Sequence, residues 1–239
     1  MKIFSIGVLD SGVGGICVLG ELVKRYKNFN FIYLGDNKNT PYGNKSIDEL
    51  EALLDANVNV LLKHKVDMIV VACNTLSTNF YKTFYKYKTP IIPILPPVIE
   101  NSYLLCTKAT FTSDYVKENF KENAYFLINF AKEIESNIFS LESVDVTKLK
   151  TIVPTNVNNV ILGCTHYLYL KDKIAYLLDK NIYTGIDGVF EKIDESLLNL
   201  KACKNKFLQK IKFIGSSKRY NKRVFTKFFG SVVKKIKKN

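Results

Sequence analysis

Two hydrophobic rhythms alternate along this chain. Short β-branched runs such as DMIVVA (67–72) are separated by longer stretches in which apolar residues return every three or four positions. The short runs predict strands at about 2–9, 30–35, 67–72, 90–94, 102–106, 124–128, 159–163, 182–186 and 211–215. The longer ones predict helices over 14–27, 46–64, 75–87, 113–121, 129–138, 167–179, 187–204 and 218–229. In SIDELEALLDANVNVLLK (46–63), Ser46 can cap, Glu49 stands three residues on, and Leu50, Leu53, Leu54, Val58 and Leu61 repeat at helical spacing. Strands alternating with helices imply βα units, hence an α/β fold of mostly parallel sheets flanked by helices.

A longer-range echo divides the chain. One strand ends in Ala-Cys-Asn-Thr (72–75), another in Gly-Cys-Thr-His (163–166), and each leads into a helical stretch. Two matched strand–Cys–helix units imply two similar lobes facing each other. The segment TPIIPILPPV (89–98), with four of the six prolines, is the candidate crossing between them. The expected division is 1–96 plus 208–239 for the first lobe and 97–207 for the second.

Composition narrows the class. Hydrophobic residues at 47% and charged residues at 24% of 239 positions suit a globular chain with a sizeable core. No apolar stretch approaches the ~20 residues that a bilayer crossing needs, and the opening MKIFSIGVLDSG reads as a first strand rather than a secretory signal. Cysteines at 17, 73, 106, 164 and 203 give an odd count without a Cys-x-x-Cys pair, so reduced thiols in a cytoplasmic protein are expected. The net charge of +13 is concentrated at one end. Of 35 basic residues, 14 lie in 201–239, a segment without Asp or Glu; the first 200 residues hold 21 basic against 22 acidic groups. On the plain reading that segment is a solvated helix face and tail; on the sharper one it is a nucleic-acid contact.

Cys73 and Cys164 each fall at the carboxyl end of an expected parallel strand, where open α/β sheets place their ligands. Each also precedes an expected helix N-terminus, whose unpaired N–H groups favour a thiolate. Inert buried cysteine is the plain alternative. Against it, apolar strands that end abruptly in Asn74 and Thr75, or in Thr165 and His166, look like the edge of a site. In LDSGVGG (9–15) a strand runs into a glycine-rich turn. A dinucleotide fingerprint would start at Gly12 and Gly14 with Asp36 as the ribose acid, yet its third glycine falls at Cys17. A turn whose backbone approaches a small anion fits better, with Asp10 and Ser11 at the strand end. In YLGDNKNTPYGNKS (33–46), Pro41-Tyr42-Gly43 fixes the path of a loop. Metal binding by Cys73, Cys164 and His166 rests on one Cys-x-His pair, far short of a zinc pattern. A Cys–His protease leaves the second cysteine unexplained, and His64 reads as a surface helix residue.

In their order and spacing, DSGVGG, GDNKNTPYG, ACNT and LGCTHY resemble the glutamate racemases of the cofactor-independent aspartate/glutamate racemase superfamily. The first 95 residues and 159–170 carry the likeness most specifically; 106–115 and 210–230 do so more loosely. The resemblance implies two α/β lobes with the active site in the cleft between them. It implies Cys73 and Cys164 as the catalytic pair and Asp10 and His166 as auxiliary acid/base residues beside them. The matched substrate contacts are Ser11, Pro41, Tyr42, Gly43, Asn74, Thr75, Thr107, Thr110 and Thr165. It further implies no cofactor or metal, glutamate as the substrate and D-glutamate for peptidoglycan as the product's use; a homodimer is one expected assembly.

Inverting an α-carbon requires a base on one face and an acid on the other, with roles exchanged for the other enantiomer, and two tunable thiols meet that need. Two departures bear on this reading. Residues 115–158 are shorter than the family's pattern, and NAYFLINFAKEIESN (123–137) replaces its Cys-Pro and Phe-Val-Pro-Leu-Val-Glu residues, with Glu133 as the match for the acid. Two alternatives stand beside the glutamate reading: another acidic amino acid such as aspartate, and a racemase-like binding protein whose basic tail contacts nucleic acid.

Overall fold

The computed structural model describes residues 3–198 and 209–236. In chain order the strands are β1 (Ser5–Asp10), β2 (Asn30–Gly35), β3 (Met68–Val71), β4 (Ile91–Pro93), β5 (Ser102–Cys106), β6 (Ala124–Phe126), β7 (Asn159–Gly163), β8 (Asn181–Tyr183) and β9 (Ile211–Ile214). The helices are α1 (Gly15–Arg25), α2 (Ile47–Lys63), α3 (Asn74–Phe80), α4 (Lys108–Phe111), α5 (Asp114–Asn119), α6 (Phe130–Ser136), α7 (Leu149–Ile152), α8 (Lys171–Leu178), α9 (Ile186–Leu198) and α10 (Lys218–Ile236). The strands form two sheets, ordered β4-β3-β1-β2-β9 and β6-β5-β7-β8. Every pairing is parallel.

The central strands β1 and β3 are almost wholly buried, as parallel strands covered on both faces must be. Alternation sends Ile6, Val8, Met68 and Val70 into one apolar cluster, shared with Ile16, Leu19 and Val23 of α1 and Val224 and Phe225 of α10. Leu9, Ile69 and Val71 point the other way, into a cluster with Leu50, Leu54, Val58 and Leu61 of α2. The second sheet repeats the plan: Val160 and Leu162 join Phe130, Ile134 and Ile174 on one side, and Leu104 and Ile161 join Val116 and Phe120 on the other. The α2 start follows from its sequence. Ser46 Oγ accepts the Glu49 N–H at 3.3 Å, and the Glu49 carboxylate accepts the Ser46 N–H at 2.9 Å, so two otherwise orphaned donors are satisfied.

Pro93 closes β4 at the edge of the first sheet, where a missing N–H costs little. Residues 94–101 then carry the chain to β5 of the second sheet. On the return, Val189 and Ile193 of α9 already lie in the apolar cluster of the first sheet. The expected division at 207/208, Cys203 and the last part of the expected 187–204 helix lie outside the described residues.

Three expected helices differ, one of them, 218–229, by continuing to Ile236. The 75–87 helix stops at Phe80 and resumes as a 3₁₀ turn at Phe84–Lys86; Phe80 and Phe84 stay buried four positions apart, so the apolar period runs through the break. The 167–179 helix begins as a 3₁₀ stretch, Thr165–Leu170, before α8. The short α4 and α7 escape the apolar pattern because four residues are too few to show a period. Among the described residues, no helix is long and apolar enough to cross a membrane.

Candidate active site

Cys73 follows β3 and caps α3, while Cys164 follows β7 and opens the 3₁₀ stretch. Each therefore stands at the carboxyl end of a parallel strand, in different sheets, and they are only 5% and 6% exposed. Both line one narrow cleft, whose empty volume of about 300 Å³ includes open solvent. Its wall also holds Ser11, Pro41, Tyr42, Gly43, Asn74, Thr75, Thr107, Thr165 and His166, together with Thr40 and Ala131, which the sequence reading did not single out. Asp10 and Thr110 stand behind that wall, each fully buried. A neighbouring cavity of about 870 Å³, partly open solvent, shares Pro41, Gly43, Thr107 and Ala131 with the cleft and is lined by Lys108 and Lys132 and no carboxylate.

The two sulfurs have different surroundings. Burial pushes the Cys73 thiol up to about 12, and the nearby Asp10 adds to this, against hydrogen bonds from the Leu76 N–H and Ser11. This thiol is protonated at neutral pH. Asp10 accepts the Gly12 N–H at 2.9 Å and the Thr165 hydroxyl at 3.2 Å, which ties the end of β1 to the second sheet. Burial raises the Asp10 carboxyl, although His166 pulls it down.

On the other side, His166 Nδ1 lies 3.9 Å from Cys164 Sγ, and its Nε2 lies 2.5 Å from Glu135 Oε2. Burial disfavours the charged ring, but Cys164 and Glu135 outweigh it and hold His166 well above the usual imidazole range. Burial would likewise raise Glu135. The His166 bond and charge, the Val13 N–H at 3.2 Å and the Asn37 amide at 2.8 Å reverse that and bring it below the ordinary glutamate value. Cys164 thus faces a histidine whose far nitrogen is held by the Glu135 carboxylate.

Glu135, rather than Glu133, is the acid that α6 brings here. On a helix, Ala131 and Glu135 share a face, and Ala131 lines the cleft. Glu133 lies two positions round and sits 4.0 Å from Lys148. The Ala131/Glu135 spacing, beside the buried pair Phe130 and Ile134, is the sequence signal that distinguishes the two acids.

The glycine-rich turn also resolves. A Cβ at Gly12 would lie 2.5 Å from Glu135 Oε2, and one at Gly14 would lie 2.5 Å from Thr165 Oγ1 and 2.8 Å from the His166 backbone N. These glycines let the second lobe's site residues press against the first, and the turn's backbone meets two carboxylates, Asp10 at the Gly12 N–H and Glu135 at the Val13 N–H. Asp36 is no ribose ligand: its carboxylate accepts from Asn39 at 2.9 Å and Tyr42 Oη at 2.6 Å, fixing the loop that presents Pro41, Tyr42 and Gly43. Across the cleft wall, the hydroxyls of Thr75, Thr107 and Thr110 lie 3.0–3.3 Å from one another. Asn74 donates to the Ile94 carbonyl at 3.3 Å, which leaves its Oδ1 without a partner among the described residues. Among those residues, no group of three or more His, Cys, Asp or Glu is arranged to hold a metal ion.

No protein-family model matches the chain. Individual proteins do. Over 235 residues the chain is 32% identical to the glutamate racemase of Clostridium kluyveri, covering 88% of this chain and 91% of that one. The fold matches the glutamate racemase of Thermus thermophilus with a TM-score of 0.81, at 24% identity over 93% of each chain. It matches that of Francisella tularensis, in complex with D-glutamate, with a TM-score of 0.77 at 26% identity over 96% of this chain and 95% of that one. Identity near one third along almost the whole length, on the same two-lobed fold, means that this chain belongs to the glutamate racemase family.

Proposed function

We propose that this protein interconverts L- and D-glutamate with Cys73 and Cys164 as the two bases, supplying the D-isomer for peptidoglycan. The observation that carries the reading is that two cysteines from different sheets line one small cleft whose other walls are rich in hydroxyl and amide groups. Burial holds Cys73 as a thiol, and Cys164 faces the His166 ring. That pattern suits one enantiomer: Cys164 takes the Cα proton and Cys73 returns one to the other face. The other enantiomer needs the reverse, with Asp10 receiving the Cys73 proton and His166 supplying Cys164. The donors around the cleft hold the substrate's carboxylates and stabilise the charge that develops as the Cα proton leaves. Ser11, Tyr42, Gly43, Asn74, Thr75 and Thr107 fill that role, with Thr110 bracing the two threonines from behind and Thr165 bridging to Asp10. The reduced thiols that this chemistry needs suit the cytoplasm. A homodimer, and a nucleic-acid contact through the basic C-terminal segment, are further partner readings that do not enter the mechanism.

Substrate choice is testable in one assay. Polarimetry on separate L- and D-enantiomers should show glutamate approaching a 1:1 mixture from either side. Aspartate, one methylene shorter, should react roughly 10–200-fold more slowly in kcat/KM, the discrimination that one such group allows. Faster turnover of aspartate would transfer the assignment to that substrate, and no turnover of either would remove the racemase reading.

A further inference from the structure

We propose that Asn37 is a positioning residue for proton transfer at Cys164: from the loop after β2, its amide pins the Glu135 carboxylate, and that carboxylate aims the His166 ring at the thiol. The proposal rests on the two-thiol reading above. Its basis is a continuous chain of contacts. Asn37 Nδ2 donates to Glu135 Oε1 at 2.8 Å, Glu135 Oε2 meets His166 Nε2 at 2.5 Å, and His166 Nδ1 lies 3.9 Å from Cys164 Sγ. Glu135 stands on α6, among the second-sheet elements, whereas Asn37 belongs to the first, so this bond also crosses the cleft.

Two features mark the contact as more than a loop tether. The Asn37 Oδ1 is buried without a hydrogen-bond partner among the described residues. A buried polar atom left unpaired is costly, so the side chain holds this orientation for what its other end does. The opposite orientation would turn the amide oxygen toward a carboxylate and is excluded by repulsion. The second feature is the neighbouring residue. Asp36 anchors Asn39 and Tyr42, the frame of the Pro41-Tyr42-Gly43 segment, so adjacent residues of one loop hold the cleft wall and the acid/base relay. The loop therefore sets the relay's geometry together with the wall that meets the substrate.

The test uses Asn37→Asp, which keeps the shape and removes the donor, and Asn37→Ala. In the wild type, racemisation of glutamate is measured first; its absence would overturn the two-thiol reading and not this one. Given an active wild type, Asn37→Ala should lower kcat about 10- to 100-fold, the scale of a hydrogen bond to a charged group, with KM little changed. In a Glu135→Gln background the same change should add nothing, because Asn37 acts through that carboxylate. Asn37→Asp should be most active at low pH, where a protonated Asp can donate in the amide's place, and should lose activity as pH rises and the two carboxylates repel. A substrate-free readout accompanies these: the chain has only two histidines, so ¹⁵N-histidine NMR isolates His166, with His64 as the internal control. Asn37→Ala should shift the His166 ring signals and leave those of His64 in place. Losses that add fully to Glu135→Gln, a wild-type pH profile in Asn37→Asp, or unmoved His166 signals would each overturn the proposal.

Discussion

Replacing either Cys73 or Cys164 by alanine is expected to lower racemisation by about 10²–10⁴-fold, the usual share of a positioned acid or base. The fold should survive, since each thiol sits on the cleft wall rather than deep in a sheet interior. The two losses should not be equivalent. With Cys73 gone, Cys164 can still remove and return a proton on its own face, so one enantiomer should exchange its Cα hydrogen with solvent without inverting. With Cys164 gone, Cys73 should do the same for the other enantiomer only. Proton NMR of each pure enantiomer in D₂O reads this directly. If both variants exchanged the same enantiomer, or if either racemised at the wild-type rate, the assignment of one thiol to each face would be wrong.

A large effect is also expected from one methyl group at Gly14. Its Cβ would stand 2.5 Å from Thr165 Oγ1, 2.7 Å from His166 Nδ1 and 2.8 Å from the His166 backbone N. Backbone cannot swing aside as a side-chain tip can, so the second lobe's site segment must retreat from the first. A misplacement of about 1 Å costs roughly 10²-fold in rate, and Gly14→Ala should lose about that much kcat/KM. The accompanying overpacking should lower stability by about 1–3 kcal/mol. Gly188→Ala supplies the control: nothing lies within 4 Å of its Cβ, so activity should hold, and stability should rise by up to about 1 kcal/mol because alanine favours the helix. Steady-state kinetics with thermal melts of both variants separate the two effects. Wild-type turnover in Gly14→Ala would mean that the contact across the cleft does not set the active geometry.

Much of this arrangement was legible in the residues, for reasons that can be named. Strands β2, β5 and β7 lie at the expected positions because each is an uninterrupted apolar run bounded by polar or turn residues. The start of α2 follows from the Ser46/Glu49 box. Cys73, Cys164 and most of their polar neighbours meet in one cleft because each ends a buried strand, and parallel sheets open there. What the sequence concealed depended on three-dimensional approach. Glu133 and Glu135 differ only in which way a short helix turns them, and the stretch 123–137 departs from the family pattern that would have aligned them. Asn37 lay inside a recognised motif, yet its role depends on a contact with a residue 98 positions away. The break after Phe80 was hidden because tertiary packing keeps Phe84 buried at helical spacing without a helix. The glycines at 12 and 14 looked like a ligand turn, and only the opposing lobe shows what they make room for.

In the proposed mechanism, two sulfur groups serve opposite faces of one carbon. The most direct measurement is the isotope pattern in the first few per cent of reaction, with unlabelled L- or D-glutamate in D₂O. Two distinct bases predict that the inverted product carries deuterium at Cα while the recovered substrate stays protonated, in both directions. Product that retained the substrate's own proton, or deuterium entering substrate and product at equal rates, would point to a single base and contradict the account.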